Sequence, residues 1–330
     1  MTIPDITKAA SILQSGGLVA FPTETVYGLG ADASNAAAIR KVFQAKERPY
    51  DHPLIVHVAT VTQLGDWARE VSPQVLQLAR AFWPGPLTMI LKKQPHVLDI
   101  VTGGQDTIGL RIPRHPIAQG LLEAFRGGVA APSANRFTHI SPTTAAAVRE
   151  ELGSRVDLIL DGGDCEVGLE STIIDMSGEQ PVILRPGMIT RAEIEAVLGV
   201  PVSSLRMDTP VPRAPGMHHL HYAPTTKTML IETGHLPGFL QTLQPQDLPI
   251  AIVALDESLS AADNIHIEKM PLDATTYAHN LYHILRTLDH QEFKRIVIEA
   301  VPETPEWEAI RDRLMKASGS SARLSQPPAT

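Results

Sequence analysis

A single cysteine, Cys165, among 330 residues excludes an internal disulfide and any cysteine-built metal cluster. Such usage fits a reducing compartment. Aromatic side chains make up 5% of the chain, so a stacking platform for single-stranded nucleic acid is poorly supplied. A basic excess is missing too. Residues 1–200 carry 17 basic and 21 acidic side chains and residues 201–330 carry 11 and 15, so each part is net acidic and neither is a nucleic-acid footprint. No stretch approaches the ~18 consecutive apolar residues of a membrane span. The N-terminus "MTIPDITKAASIL" has no cationic start leading into an apolar run, so no signal peptide is read there. The expectation is a soluble, cytoplasmic protein. Phosphate-binding G-x-x-x-x-G-K-[ST], the zinc motif H-E-x-x-H and the nucleophile elbow G-x-S-x-G are all absent, which leaves P-loop, zincin and hydrolase-triad chemistry without support.

What is present is an alternation of helix and strand signals. Hydrophobic content of 43% suffices for ordinary cores, and the length suggests two domains. "LVAF" (18–21), "PLIVHVA" (53–59), "LTMIL" (87–91), "TIGLRI" (107–112), "GVAA" (128–131), "DLIL" (157–160), "STIID" (171–175) and "PVILR" (181–185) read as strands. Helical periodicity starts near residue 6 and recurs at 35–48, 73–83, 116–126, 143–152 and 190–198. A mixed α/β domain follows for residues 1–200. Residues 201–226 contain five prolines and no period, and read as an extended linker. Residues 227–330 resume with "TMLIE", "IAIVAL" and "RIVIEAV" as strands and an amphipathic helix over "TTYAHNLYHILRTLD". The tail "GSSARLSQPPAT" is expected to fray.

Several polar groups call for an explanation. "GLGADA" (28–33) matches the dinucleotide pattern G-x-G-x-x-A, but its strand ends seven residues earlier, where a Rossmann turn should follow at once. Lys46, Arg48 and His52 fall at a helix end and the next loop, where capping of the negative helix terminus is the simplest role. His57 alternates with Leu54, Val56 and Val58, so it faces away from the bulkier side. Arg111 lies inside a strand, where arginine is rarely unpaired. A carboxylate partner, either Glu24, Asp32 or a substrate, would account for it. Ser171 opens one strand and Arg185 ends another. The histidines of "HHLH" (218–221) lie in the proline-rich stretch and lack cysteine neighbours, so no metal site is read. "APSANRFTHISPTT" (131–144) holds five hydroxyl side chains, suited to caps, to turns or to a polar ligand.

Taken in order, "FPTETVYGLGADA", "KERPYDHPLIVHV", "FWPGPLTMIL", "TIGLRIPRHP", "APSAN", "SPTTA", "ESTIID" and "ILRPG" resemble the YrdC-like threonylcarbamoyl-AMP synthases. "APGMHHLHYAP" and the second α/β stretch are similar to the long form of that enzyme. The resemblance implies a twisted mixed sheet with a concave active-site pocket, followed by a small Rossmann-like domain, with the linker folding over the site. It implies a nucleotidyltransferase that converts L-threonine, bicarbonate or CO2, and ATP with Mg2+ into threonylcarbamoyl-AMP and pyrophosphate. A separate tRNA threonylcarbamoyl transferase complex would take the product. Lys46 and Arg48 would offset phosphate charge. Thr25, His57, Arg111, Ala131 and Ser171 would hold L-threonine, Ala131 through its backbone because family members often carry a hydroxyl residue there. Arg48, His52, Thr107, Ser133, Ser141, Arg185 and Tyr222 would contact the nucleotide. The alternative is an RNA-binding module of the same fold without ATP turnover, against which the acidic balance of both halves argues.

Overall fold

The computed structural model describes residues 3–204, 211–216, 221–255, 259 and 262–319. His218 and His219 and the tail from residue 320 lie outside them. The chain divides into two compact units, residues 1–137 with 141–217, and residues 138–140 with 218–330. The division falls inside the stretch expected to be a linker, and three residues of the hydroxyl-rich loop belong with the second unit.

The first unit is built on ten strands: β1 (Val19–Phe21), β2 (Gly28–Asp32), β3 (Ile55–His57), β4 (Leu87–Lys92), β5 (Thr107–Arg111), β6 (Val129–Ala130), β7 (Leu158–Ile159), β8 (Thr172–Asp175), β9 (Val182–Arg185) and β10 (Ser203–Ser204). Their spatial order is β10-β9-β8-β4-β5-β3-β6-β2-β1-β7. Parallel pairs such as β3 with β5 and β4 with β8 mix with antiparallel pairs such as β4 with β5. Strand periodicity sends alternate residues to opposite faces. Val56, Met89, Leu91, Leu110 and Ile174 face the main core. That core also takes Ile39, Val42 and Phe43 from helix Ala36–Lys46. The helix starts where the Asn35 side chain accepts the N–H groups of Ala37 and Ala38. It stops at Glu47, which adopts φ 55. Thr144, rather than Ser141 or Thr143, caps the helix Ala145–Leu152 by accepting the Ala147 N–H.

"GLGAD" is strand β2, and its glycines serve packing. A Cβ on Gly30 would meet Phe21 and Val129 at 2.8 Å, so the strand is closely overlaid and no dinucleotide turn exists there. Residues 211–216, expected to be linker, lie on the face of the sheet opposite the main core. Ala214 and Val211 pack on Ile55, Ile90 and Ile173. The Arg213 N–H donates to Gln105 Oε1 at 2.6 Å, and its guanidinium donates to the Gly103 carbonyl at 2.7 Å.

The second unit has a four-stranded, wholly parallel sheet of β11 (Thr228–Ile231), β12 (Ile250–Ala254), β13 (Ile265–Lys269) and β14 (Arg295–Glu299), in the order β11-β14-β12-β13. Helix Ala274–Asp289 buries Tyr277, Leu281 and Leu288 as its period predicts, with Leu285 buried in place of the expected Ile284, which is half-buried. Its N-terminus is capped by Asp273, which accepts the Thr276 N–H at 2.8 Å.

Candidate active site

Register places five of the expected residues on one face of the first sheet. His57 on β3 pairs with Arg111 on the parallel β5. Thr107 stands four residues before Arg111 on the same side, roughly 13 Å away at strand rise. Thr88 and Ile90 continue the face on β4, and Ile173 on β8 pairs with Arg185 on β9. Ser171, two residues before Ile173, shares it. Gly109, between Thr107 and Arg111, adds no bulk there.

Arg111 is 4% exposed. Its Nε donates to the Gly85 carbonyl at 3.3 Å and its Nη1 to Thr25 Oγ1 at 2.9 Å. Nη2 lies 2.8 Å from Glu24 Oε1. That contact is an ion pair rather than an aligned hydrogen bond, since both atoms are buried without a hydrogen-bond partner. The carboxylate partner of Arg111 is therefore Glu24, not Asp32. Burial works against the Glu24 charge. The Arg111 guanidinium and the hydrogen bonds, one of them from the Arg114 N–H at 2.9 Å, outweigh it and hold the carboxyl below its usual range. Thr25 is fully buried, and its hydroxyl is shared between Arg111 and Thr23.

His57 is 3% exposed. Burial first, and the neighbouring Arg111 charge second, hold its imidazole down at about 3. It is therefore neutral across the physiological range, and its buried Nδ1 has no hydrogen-bond partner among the described residues. Beside it, the Ala131 N–H is already donated to the Ile55 carbonyl at 2.9 Å, so a ligand contact at Ala131 would use its carbonyl.

Ser171 and Arg185 form one group. Arg185 Nε and Nη2 both donate to the Ser171 carbonyl, at 3.0 and 2.9 Å, and Nη2 also donates to Ser171 Oγ at 3.1 Å. Ser171 Oγ lies 2.8 Å from Thr88 Oγ1. Arg185 Nη1 reaches the Pro215 carbonyl at 3.2 Å, which ties residues 211–216 to this face. Ser141 is fully buried and donates to Glu170 Oε1 at 2.5 Å. The sequence reading missed Glu170 in this role, because the two residues are distant in sequence and no local pattern links them.

A third group gathers on the loop after β6. Lys46 is 1% exposed and donates to the carbonyls of Ser133 and Asn135, at 2.6 and 2.5 Å. Burial first and the Arg48 charge second push its ammonium well below the ordinary lysine range. Arg48 donates to the Pro53 carbonyl at 3.1 Å, and its guanidinium lies 5.9 Å from the Phe137 ring. His52 meets the same ring edge-on at 5.1 Å. Simple helix capping does not account for Lys46, whose nitrogen reaches across to another loop. Ser133 is half-buried, bridged to Gly28 of β2.

Tyr222 is placed in the second unit. It is 1% exposed and adopts φ 60. Its ring stacks on Tyr282 at 5.9 Å, meets His221 at 4.0 Å, and has the Arg313 guanidinium 5.2 Å from its centroid. The ring expected to lie against a nucleotide is thus buried, with these three contacts inside its own unit.

Residues 11–187 match the family model described as Telomere recombination (Sua5, YciO, YrdC), and residues 189–319 match that described as Threonylcarbamoyl-AMP synthase, C-terminal domain. The chain belongs to the threonylcarbamoyl-AMP synthase family. The Bacillus subtilis threonylcarbamoyl-AMP synthase is 39% identical, over 96% of this chain and 93% of its own. The Pyrococcus abyssi enzyme of that name is 38% identical, over 95% and 94%. The crystal structure of P. abyssi Sua5 complexed with L-threonine superposes with a TM-score of 0.89 at 36% identity, covering 97% of this chain and 96% of that one. The family's two-part organisation accounts for the mixed sheet and the parallel sheet that follows it. Among the described residues no helix is long and apolar enough to cross a membrane.

Proposed function

We propose that the chain is an L-threonylcarbamoyladenylate synthase, joining L-threonine, bicarbonate or CO2, and ATP into threonylcarbamoyl-AMP and pyrophosphate. The observation that carries this reading is the placing of a buried, ion-paired guanidinium and a buried, neutral imidazole side by side on one sheet face, Arg111 and His57. A guanidinium edge suits the carboxylate of an amino acid. A neutral imidazole suits its hydroxyl or its uncharged amine. The threonine bound in the P. abyssi relative is of this chemistry.

Carbamate formation joins the free amine to CO2 with release of one proton. A carbamate oxygen then forms the bond to the α-phosphorus as the bond to pyrophosphate breaks. Such a transfer depends mostly on positioning and on charge neutralisation. The proton released in the first step passes to solvent rather than to His57, whose surroundings keep its imidazole unprotonated; the neutral ring can hydrogen-bond the amine or the hydroxyl. Lys46 and Arg48 would offset polyphosphate charge. Ser133, Ser141, His52, Thr107, Arg185 and Tyr222 are the proposed nucleotide contacts. Mg2+ would arrive with ATP as part of the substrate. Among the described residues no three His, Cys, Asp or Glu side chains cluster to hold a metal ion, so phosphate oxygens and water would supply its ligands. The product would pass to a separate tRNA threonylcarbamoyl transferase complex in the cytoplasm.

The test is pyrophosphate release from ATP and Mg2+, with and without L-threonine and bicarbonate. Release that needs both co-substrates is expected. Release without bicarbonate would indicate a plain amino-acid adenylating enzyme. Absence of release together with salt-dependent tRNA binding would indicate the RNA-binding module.

A further inference from the structure

We propose that Glu24 is a positioning residue for amino-acid recognition: it fixes the plane of the Arg111 guanidinium, so that the donors left over are presented to the substrate carboxylate. The inference rests on the reading of Arg111 as the carboxylate clamp. Arg111 is held on three sides, by the Gly85 carbonyl at Nε, by Thr25 at Nη1 and by the Glu24 carboxylate beside Nη2. Two of the three holds come from adjacent residues, and that segment is itself rigid. Thr23 Oγ1 donates to the Val26 carbonyl at 2.6 Å and accepts the Thr25 and Val26 N–H groups at 3.2 Å. Glu24 Oε2 accepts the Arg114 N–H, and the Glu24 carbonyl accepts the Val167 N–H at 2.7 Å. The carboxylate is therefore anchored independently of the guanidinium it faces.

A pair kept only for stability would spend its hydrogen bonds on itself, since buried ion pairs add little net stability unless fully satisfied. Here the charges touch at 2.8 Å while Arg111 Nη2 and Glu24 Oε1 both lack an aligned hydrogen bond. The contact orients and neutralises Arg111 and leaves donor capacity for a ligand. Without Glu24 the guanidinium would carry an uncompensated charge in the interior and would turn toward other acceptors.

Two substitutions test this, Glu24→Ala and Glu24→Gln, with L-threonine binding read by calorimetry in the absence of ATP and KM values read separately for threonine and ATP. Glu24→Ala is expected to weaken threonine binding at least tenfold, with KM for ATP within twofold. Glu24→Gln keeps an acceptor oxygen at the same reach and is expected to fall between it and wild type. Threonine affinity unchanged in both variants, or KM for ATP rising in step with KM for threonine, would overturn the inference. Should Glu24→Ala not fold, the isosteric Glu24→Gln decides on the same readouts. Wild type that binds threonine yet releases no pyrophosphate would sink the synthase reading while the Glu24 comparison still stands. Wild type that binds no threonine would overturn both the clamp and this inference.

Discussion

Arg111 and His57 occupy paired positions on adjacent parallel strands and point to the same face. One is a fixed cation and the other is kept uncharged, with burial and then the Arg111 charge as causes. The site therefore offers the donor edge of an ion-paired guanidinium to an amino-acid carboxylate and a neutral hydrogen-bonding ring immediately beside it. That division suits a substrate whose carboxylate must be held while its amine stays free to react.

Acid should expose the His57 arrangement. Its imidazole is held at about 3 when folded, against 6.5 ordinarily. Between these values the folded chain binds fewer protons than the unfolded one, so stability rises with pH and is lost as pH falls from 6.5 toward 3. Between pH 7 and 5 the loss from this group is expected to be about 2 kcal/mol. Glu24, with its lowered carboxyl, adds loss in the same direction only below the ordinary carboxylate range. Denaturant unfolding of wild type and His57→Asn across pH 5 to 7 checks this. An equally steep acid limb in the variant would assign the loss elsewhere.

The Arg111 fork should not tolerate lysine. An ammonium carries the charge but cannot hold Gly85, Thr25 and a ligand carboxylate together in one plane. Arg111→Lys is expected to raise KM for threonine by about 10- to 100-fold, the equivalent of one or two charge-assisted hydrogen bonds. KM for ATP should change little. Steady-state kinetics with each substrate varied would decide it, and near-wild-type threonine kinetics would refute the fork.

The sheet was legible where strands carried β-branched runs, as in "LIVHV" and "STIID", because those patterns suit a buried pleated surface. Strand β2 was not, since "GLGAD" has few such residues and was chosen for close overlay by Phe21 and Val129. Strand β13, "IHIEK", is a half-buried edge whose short alternation carries little signal. Among site residues, Arg111 announced itself as a cation in a strand, and Glu24 was legible only as one of two intrachain partners. The bond from Ser141 to Glu170 was invisible because it depends on how distant segments meet. Thr138–Ile140 read as part of one polar loop, yet the Thr138 carbonyl accepts the Ala223 N–H and the Ile140 carbonyl accepts from Arg286, within the second unit. Such pairings arise only in the folded chain.

Lys46 should matter for the nucleotide and not for the amino acid. Lys46→Met keeps the length of the side chain and removes its donors to Ser133 and Asn135. A fall of about 100- to 1000-fold in kcat/KM for ATP is expected, the usual effect of removing a preorganised donor from developing charge. Threonine binding by calorimetry should stay within twofold. Because burial and Arg48 depress its ammonium, ATP affinity should also decline with rising pH earlier than an ordinary lysine would dictate. Loss of threonine binding in Lys46→Met would mean that the residue holds the loop rather than the phosphates.

Tyr222 separates packing from nucleotide contact. Its buried ring meets Tyr282, His221 and the Arg313 guanidinium, so truncation removes a large buried surface together with a cation–π contact. Tyr222→Ala is expected to cost about 3–5 kcal/mol, as for other buried aromatic truncations, and to lower the unfolding midpoint accordingly. Tyr222→Phe keeps the ring and its three ring contacts, so it should unfold within about 1 kcal/mol of wild type. The same variant tests the proposed nucleotide contact. If the hydroxyl touches ATP, Tyr222→Phe raises KM for ATP by several-fold without moving the unfolding midpoint. If only Tyr222→Ala is impaired, and in proportion to its lost stability, the tyrosine serves the second unit and should be struck from the nucleotide site.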